Sequence, residues 1–437
     1  MTPSWTSPAT IVGLAAALAF SLLCYRDMRR ALVVVTGVGA LQRVQIGSFS
    51  GQQMVQGLLP IEVLATALIG VWVLKHRILG NKPLVRCSFD RPLFLLVPAS
   101  FLSLVVGFTW FDPLIPLDHM KVSVAFGQIV ILLWACGLFL VVANSADRIT
   151  IRRICRLILW LASPSILLTI VPASARPFLD WSMVFALPAA SLAASEFFDT
   201  QSVLRRLGLV LLIVAPLAFG LATDKAFFYV YVVVSTLVIV ALRARSVLVP
   251  LVLLSAAMYL LIAAAVTDSL VPSFVTGLIR TETAQQSLGG RGGREQLIMD
   301  GLGIWSRYPI AGVGPGNNYP YMLRYSSLGT SHNQYVNLLM ELGLIGFACF
   351  AVFAVRAAHS GWRLWREARD PFHRQLALAW LGSFAAMLAG GFFGDFMLPS
   401  IRNGGIELFG LYYVQWILLG LTVAATALER RSPGVSQ

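Results

Sequence analysis

The sequence predicts an all-α, polytopic integral membrane protein with about twelve or thirteen spanning helices and one long extracytoplasmic loop. Three observations carry this. Apolar residues fill 57% of the 437 positions and charged residues only 12%, about half the charge of an average soluble domain. A mean hydropathy of +0.77 leaves too little polar side chain to cover a water-exposed surface. Apolar runs of about 20 residues, the length that crosses a bilayer, recur along the chain. Such a composition excludes a disordered chain, a collagen and a disulfide-stapled scaffold. The net charge of +13 has an ordinary explanation in a membrane protein, which gathers Lys and Arg in its cytoplasmic loops. No nucleic-acid partner is expected.

The candidate spans lie near residues 9–25, 31–48, 54–74, 93–110, 121–143, 153–172, 181–198, 205–222, 226–242, 247–266, 334–356, 374–397 and 406–427. Gln42, Arg43 and Gln45 interrupt the second, so twelve spans plus one re-entrant or interfacial segment is the alternative. Of the 33 lysines and arginines, 23 fall on alternate connections, including Lys75–Arg91, Arg148–Arg156, Arg356–Arg374 and the pair Arg430-Arg431. By the positive-inside rule these connections face the cytoplasm. The uncharged Met1–Pro8 then lies outside, and the first span lacks the basic flank of a cleavable signal. One membrane domain results, with ten spans in 1–267, the long loop in 268–333 and three spans in 334–437. Cys24, Cys87, Cys136, Cys155 and Cys349 all fall within spans or at the cytoplasmic face, so no disulfide is expected. No CxxC spacing occurs, and no metal site is expected.

The long loop holds basic residues where the positive-inside bias opposes them: Arg280, Arg291, Arg294, Arg307 and Arg324. An anionic ligand gives them a purpose, and lipid head groups give a plainer one. Within the loop, Arg294–Arg307 places Leu297, Ile298, Gly301, Ile304 and Trp305 at helical spacing, which predicts a short amphipathic helix on the membrane surface. Gly312-Val313-Gly314-Pro315-Gly316 follows. No strand precedes it and no Lys-Ser/Thr follows, so it reads as a tight turn held against the bilayer rather than a phosphate loop.

The span after the loop opens with Ser331-His332-Asn333. Asn333, Asn337 and Glu341 are spaced i, i+4, i+8 and form one polar stripe descending into the membrane. Glu341 lies about 12 Å below Asn333 at the helical rise. An ionisable residue at that depth faces the bundle interior and marks a functional site or a helix-packing hydrogen bond. His332 stands at the water boundary, where a neutral imidazole accepts a proton near pH 7. On the same face lie Thr223-Asp224-Lys225, Arg43, Arg176, Asp395 and Arg402. Cations converging on one membrane face suit a diphosphate, whose charge must be neutralised when the sugar–phosphate bond breaks.

Gly292-Gly293-Arg294, Trp305, Pro309, the Gly312–Gly316 turn, His332-Asn333, Glu341, Gly343 and Gly346 together resemble the O-antigen ligase/polymerase family of bacterial membrane enzymes over about 60 residues, roughly 290–350. The resemblance implies a metal- and cofactor-independent glycosyltransferase of the bacterial inner membrane, active on its periplasmic face. Its donor would be an undecaprenyl-diphosphate-linked glycan, and its acceptor either lipid A-core (ligase) or another lipid-linked glycan (O-antigen or exopolysaccharide polymerase). The family's diphosphate-holding basic residues map onto Arg294 and Arg291, and its histidine onto His332. Where the family carries Ser-Arg-(Gly/Ala), this chain reads Asp224-Lys225-Ala226. Lysine keeps the charge and loses the bidentate fork.

His332 is the expected base for the acceptor hydroxyl, with Glu341 and Asp395 as alternatives. Arg294, Lys225, Arg291, Arg280, Arg324, Arg402, Arg43 and Asn333 are the expected diphosphate or glycan contacts. A flippase or transporter is the reading from another class. It would need a midplane site and often repeat symmetry, whereas these polar residues gather at one face.

Overall fold

The computed structural model describes residues 8–41, 47–50, 55–80, 83–110, 115, 122–169, 182–223, 226–244, 294–324, 329–394, 396–398 and 408–431. The predicted span at 247–266 lies outside them.

The described elements are helices and their connections, apart from one short antiparallel hairpin. α1 (Pro8–Arg26) and α2 (Met28–Val38) are separated by Asp27, whose carboxylate accepts the backbone N–H groups of Arg29 and Arg30 and so caps α2. α2 gives way to a 3₁₀ turn at Gly39–Leu41, and β1 (Gly47–Ser50) pairs with β2 (Val55–Leu58). This corrects two predicted boundaries, since neither 31–48 nor 54–74 is one continuous helix. The physical reason for the first lies in α2's C-terminal end. The Tyr413 hydroxyl donates to Thr36 O at 2.6 Å and accepts from Gly39 N at 3.1 Å, and no β-carbon could stand at Gly39 beside that ring.

α3 (Pro60–Trp72) continues through a π-helical turn to Ile78. There follow α4 (Asp90–Thr109), α5 (Val122–Ser145), α6 (Arg148–Ala162), α7 (Met183–Phe197), α8 (Val203–Thr223) and α9 (Ala226–Arg243). Later in the chain come α10 (Arg294–Arg307), α11 (Asn318–Met322), α12 (Gln334–Glu367), α13 (Pro371–Gly390) and α14 (Leu408–Arg431). Four described segments are long and apolar enough to cross a membrane: Asp90–Thr109, Val124–Ser145, Val203–Gly220 and Gln334–Glu367. Shorter apolar helices lie at Ala15–Arg26, Met183–Phe197 and Phe227–Arg243. The chain is a polytopic helical membrane protein.

One apolar cluster joins nearly all these helices, with Phe89, Phe139, Phe353, Phe384, Trp380 and Phe409 among its fully buried side chains. α12 packs on α4 and α13, α13 on α9 and α7, and α14 on α5. The arginine-rich connections collect at one end of this bundle. There Arg29 meets Asp147 at 2.6 Å, and Asp370 accepts from Arg148 at 2.6 Å and Arg152 at 3.4 Å. Asp147 and Asp370 also cap α6 and α13. The start of α12 lies at the opposite end.

Candidate functional site

α12 is the element that builds the site, and it is broken. Gly343 sits at φ 61° and ψ −163° inside an otherwise helical run, a backbone region that is essentially glycine-only. The break leaves carbonyls and N–H groups of α12 without helical partners. The loop after α10 supplies them. Val313 N donates to Met340 O at 2.8 Å and Gly314 N to Glu341 O at 3.1 Å, while Leu344 N and Ile345 N donate back to Pro309 O and Ile310 O at 2.8 and 3.2 Å. Ser103 of α4 donates its hydroxyl to the same Glu341 carbonyl.

The glycine-rich turn is therefore tucked into the helix break between α4 and α12, rather than lying against the bilayer. Its Val313 and Gly314 N–H groups are engaged by α12, which leaves them no part in a phosphate cradle. Close approach explains one of its glycines and one glycine of α4 that faces it. A β-carbon on Gly312 would stand 2.5 Å from the Glu341 carbonyl, and one on Gly107 of α4 would stand 2.1 Å from Val313 O.

α10 has the predicted bounds but a different partner. Leu297 and Ile304 are buried, in one cluster with Val336 and Met340 of α12 and with Val313, Tyr321 and Met322. A β-carbon on Gly301 would meet Val336 at 2.6 Å, so the two helices cross closely. Its apolar face covers α12 rather than lipid.

The entrance to α12 is a tight knot of hydrogen bonds. Asn333 caps the helix, its side chain accepting from Tyr335 N and Val336 N at 3.0 and 3.2 Å. Asn337 accepts from the Ser331 hydroxyl at 2.8 Å and donates to Thr330 Oγ1 at 3.2 Å. Two residues of the predicted stripe thus hold the turn in shape. Just before them His332 is half-buried and takes φ 50°, the only non-glycine residue with positive φ among those described. Thr330 Oγ1 accepts its backbone N–H at 3.2 Å.

Glu341 is buried on the bundle side. It lines a cavity of about 40 Å³ together with Asn337, Gln334, Ser100 of α4, Gln128 of α5 and Pro315 of the turn. That volume holds a water molecule or two and no sugar ring. Ser100, Gln128 and Gln334 carried no sequence signal, because single polar residues in apolar helices have no spacing that points to a common site.

Two further segments reach this mouth. The Gln334 side-chain carbonyl accepts from Phe396 N and Met397 N at 2.9 and 2.8 Å, drawing in the stretch that flanks Asp395. Phe396 stacks on Phe227, in the first turn of α9 and two residues beyond Lys225, with ring centroids 3.5 Å apart. The sequence neighbourhoods of Lys225, Asp395 and His332 are thus brought together. Lys225, Asp395, Arg43, Arg176, Arg280, Arg291 and Arg402 themselves lie outside the described residues. Arg294 opens α10, and Arg324 is exposed just after α11. Among the described residues no group of His, Cys, Asp and Glu could hold a metal ion.

A helical membrane protein with a polar, loop-splinted entrance to one broken span is the class that fold and site define. Residues 207–351, about a third of the chain, match the model of a family described as O-Antigen ligase. That stretch runs from α8 through the first half of α12 and takes in Lys225, Arg294, His332 and Glu341. The resemblance to the O-antigen ligase/polymerase family is shown over it, and supports a function of the ligase or polymerase type on lipid-linked glycans. No curated protein matches the chain.

Proposed function

We propose that this protein is a membrane glycosyltransferase that moves a glycan from undecaprenyl diphosphate to a sugar hydroxyl of lipid A-core on the periplasmic face of a bacterial inner membrane. The observation that carries this reading is His332. It is held at φ 50° at the mouth of a broken span, inside the matched stretch. A left-handed non-glycine residue persists only where its surroundings over-determine it, and such residues cluster at active sites.

In the reaction the acceptor oxygen attacks the anomeric carbon, the bond from that carbon to the diphosphate oxygen breaks, and the diphosphate leaves with its electron pair. The acceptor proton goes to the neutral imidazole of His332. Arg294 and Lys225 neutralise the charge that grows on the leaving diphosphate, aided by Arg291. Glu341, in its small cavity below, holds water or orients the polar turn at the mouth. Being membrane-embedded suits an enzyme whose leaving group is a lipid.

Purified protein in vesicles, given a lipid-linked glycan donor and either lipid A-core or a second lipid-linked glycan, tests this directly. Glycan appearing on lipid A-core is the expected result. Elongation of the lipid-linked glycan instead would make the protein a polymerase of the same family. Donor crossing the bilayer with no glycan transferred would overturn the proposal in favour of a carrier.

A further inference from the structure

At the arginine-rich end of the bundle, remote from the mouth of α12, the segment leading into α4 (Val85–Ser88) and the ends of α12 and α14 surround a cavity of about 220 Å³. Arg86, His359, Arg363, Arg369 and Arg430 line it, with Glu367 and Glu429 as its carboxylates. Both acids are already committed. Glu367 takes a two-pronged hydrogen bond from Arg363 at 3.2 Å for each contact. Glu429 accepts the backbone N–H groups of Arg369 and Asp370 at 3.0 and 3.3 Å and pairs with His373 Nδ1 at 2.6 Å. Arg86, Arg369 and Arg430 have no carboxylate ion pair of their own among the described residues. The positive-inside rule accounts for their number. It does not account for three guanidinium groups gathered from three separate segments around one hollow.

We propose that this cavity binds the phosphate head group of an anionic membrane lipid. Two features favour a lipid over a soluble anion. The cavity has an apolar side, made by Leu364, Val423 and Ala427. The α12 face that carries His359 and Arg363 also continues toward the bilayer through Val352 and Val355, the latter 70% exposed, which offers a track for an acyl chain. Basic pockets between spans at a cytoplasmic face are suited to such head groups, and each nearby Lys or Arg strengthens the attraction. The inference is independent of the glycosyltransferase reading, since none of these residues belongs to the site at the other end.

Full-length protein in nanodiscs of equal phosphatidylglycerol and phosphatidylethanolamine, released and weighed intact by native mass spectrometry, tests it. Wild-type protein should retain phosphatidylglycerol preferentially. The variant Arg86→Gln/Arg369→Gln/Arg430→Gln should lose that preference at least tenfold, and Arg430→Gln alone, at the exposed end of α14, should weaken it in the same direction. Arg153→Gln/Arg156→Gln, on α6 at the same end of the bundle, should leave it unchanged. Unaltered retention by the triple variant, or equal loss in the α6 variant, would overturn the proposal. Displacement of the lipid by millimolar inorganic phosphate would also overturn it, because the site would then be one for free anions.

Discussion

In the proposed mechanism His332 combines a chemical role with a conformational cost. At φ 50° an L-residue pays steric strain of order 1 kcal/mol or more, offset by the hydrogen bonds of Thr330, Ser331, Asn333 and Asn337 around it. Glycine would fit the same backbone without strain, so His332→Gly should fold at least as well as wild type. The proposed diphosphate contacts are a separate matter of charge. Arg294→Ala and Lys225→Ala should each raise the donor KM about tenfold or more, since a hydrogen bond to a charged group contributes about 1.5–3 kcal/mol. Lys225→Arg should match or exceed wild type, because a guanidinium grips phosphate with two parallel bonds. Wild-type donor kinetics in both alanine variants would move the diphosphate elsewhere. The sequence displayed these residue types but hid what holds them. Asn333 and Asn337 read as a stripe descending toward a ligand, whereas they are largely engaged in shaping the turn.

At the scale of elements, the central device is the splint between the Tyr308–Gly316 loop and the break in α12. A β-carbon on Gly343 would lie 2.2 Å from Ile310 O, at a backbone conformation that alanine avoids. Gly343→Ala should therefore cost about 3 kcal/mol, from backbone strain and displaced loop hydrogen bonds. Gly303→Ala, in open space on α10, should be neutral or slightly stabilising. Thermal inactivation in detergent separates the two, and equal midpoints would show that the splint contributes nothing. The glycines, the helix at 294–307 and the polar start of α12 were each legible in the sequence. Their union was not, because backbone hydrogen bonds between segments some thirty residues apart leave no periodic trace. Ser103, some 240 residues before Glu341, is equally silent.

Across the whole molecule, the basic end is knitted by carboxylates whose titration sets acid stability. Burial raises the Asp370 carboxyl. The Arg148 hydrogen bond, the Phe372 N–H and the charges of His373 and Arg148 outweigh this and hold it below the usual value. Asp147 is lowered too, its burial outweighed by bonds from Thr150 and the charge of Arg29. Groups depressed in the folded state contribute stability above their unfolded pKa and lose it as pH falls through the folded one. Thermal stability should thus hold from neutral pH down to about 4 and fall below it. The fall should be shallower in Asp370→Asn, which keeps the α13 cap without the titration. An equally steep fall in that variant would place the acid sensitivity elsewhere.

Sidedness belongs to this scale as well. In a cysteine-free background, Ser306→Cys should react with an impermeant maleimide in intact spheroplasts, and Arg366→Cys only after membrane disruption. The reverse pattern would invert the molecule. Fold class and this charge asymmetry were the most legible features of the chain, because they are sums over many residues. The shortened α2 depends on single contacts such as Tyr413 with Gly39, which no sum reveals.

The most direct test of the central claim is glycan transfer from a lipid-linked donor to an acceptor hydroxyl by vesicle-reconstituted His332→Gly enzyme, beside wild type and at matched folded protein. A general base contributes roughly 10²–10⁴-fold. The rate should fall by that factor, with donor binding and thermal midpoint unchanged. Transfer at the wild-type rate by this well-folded variant would remove His332 from the chemistry and with it the mechanism proposed here.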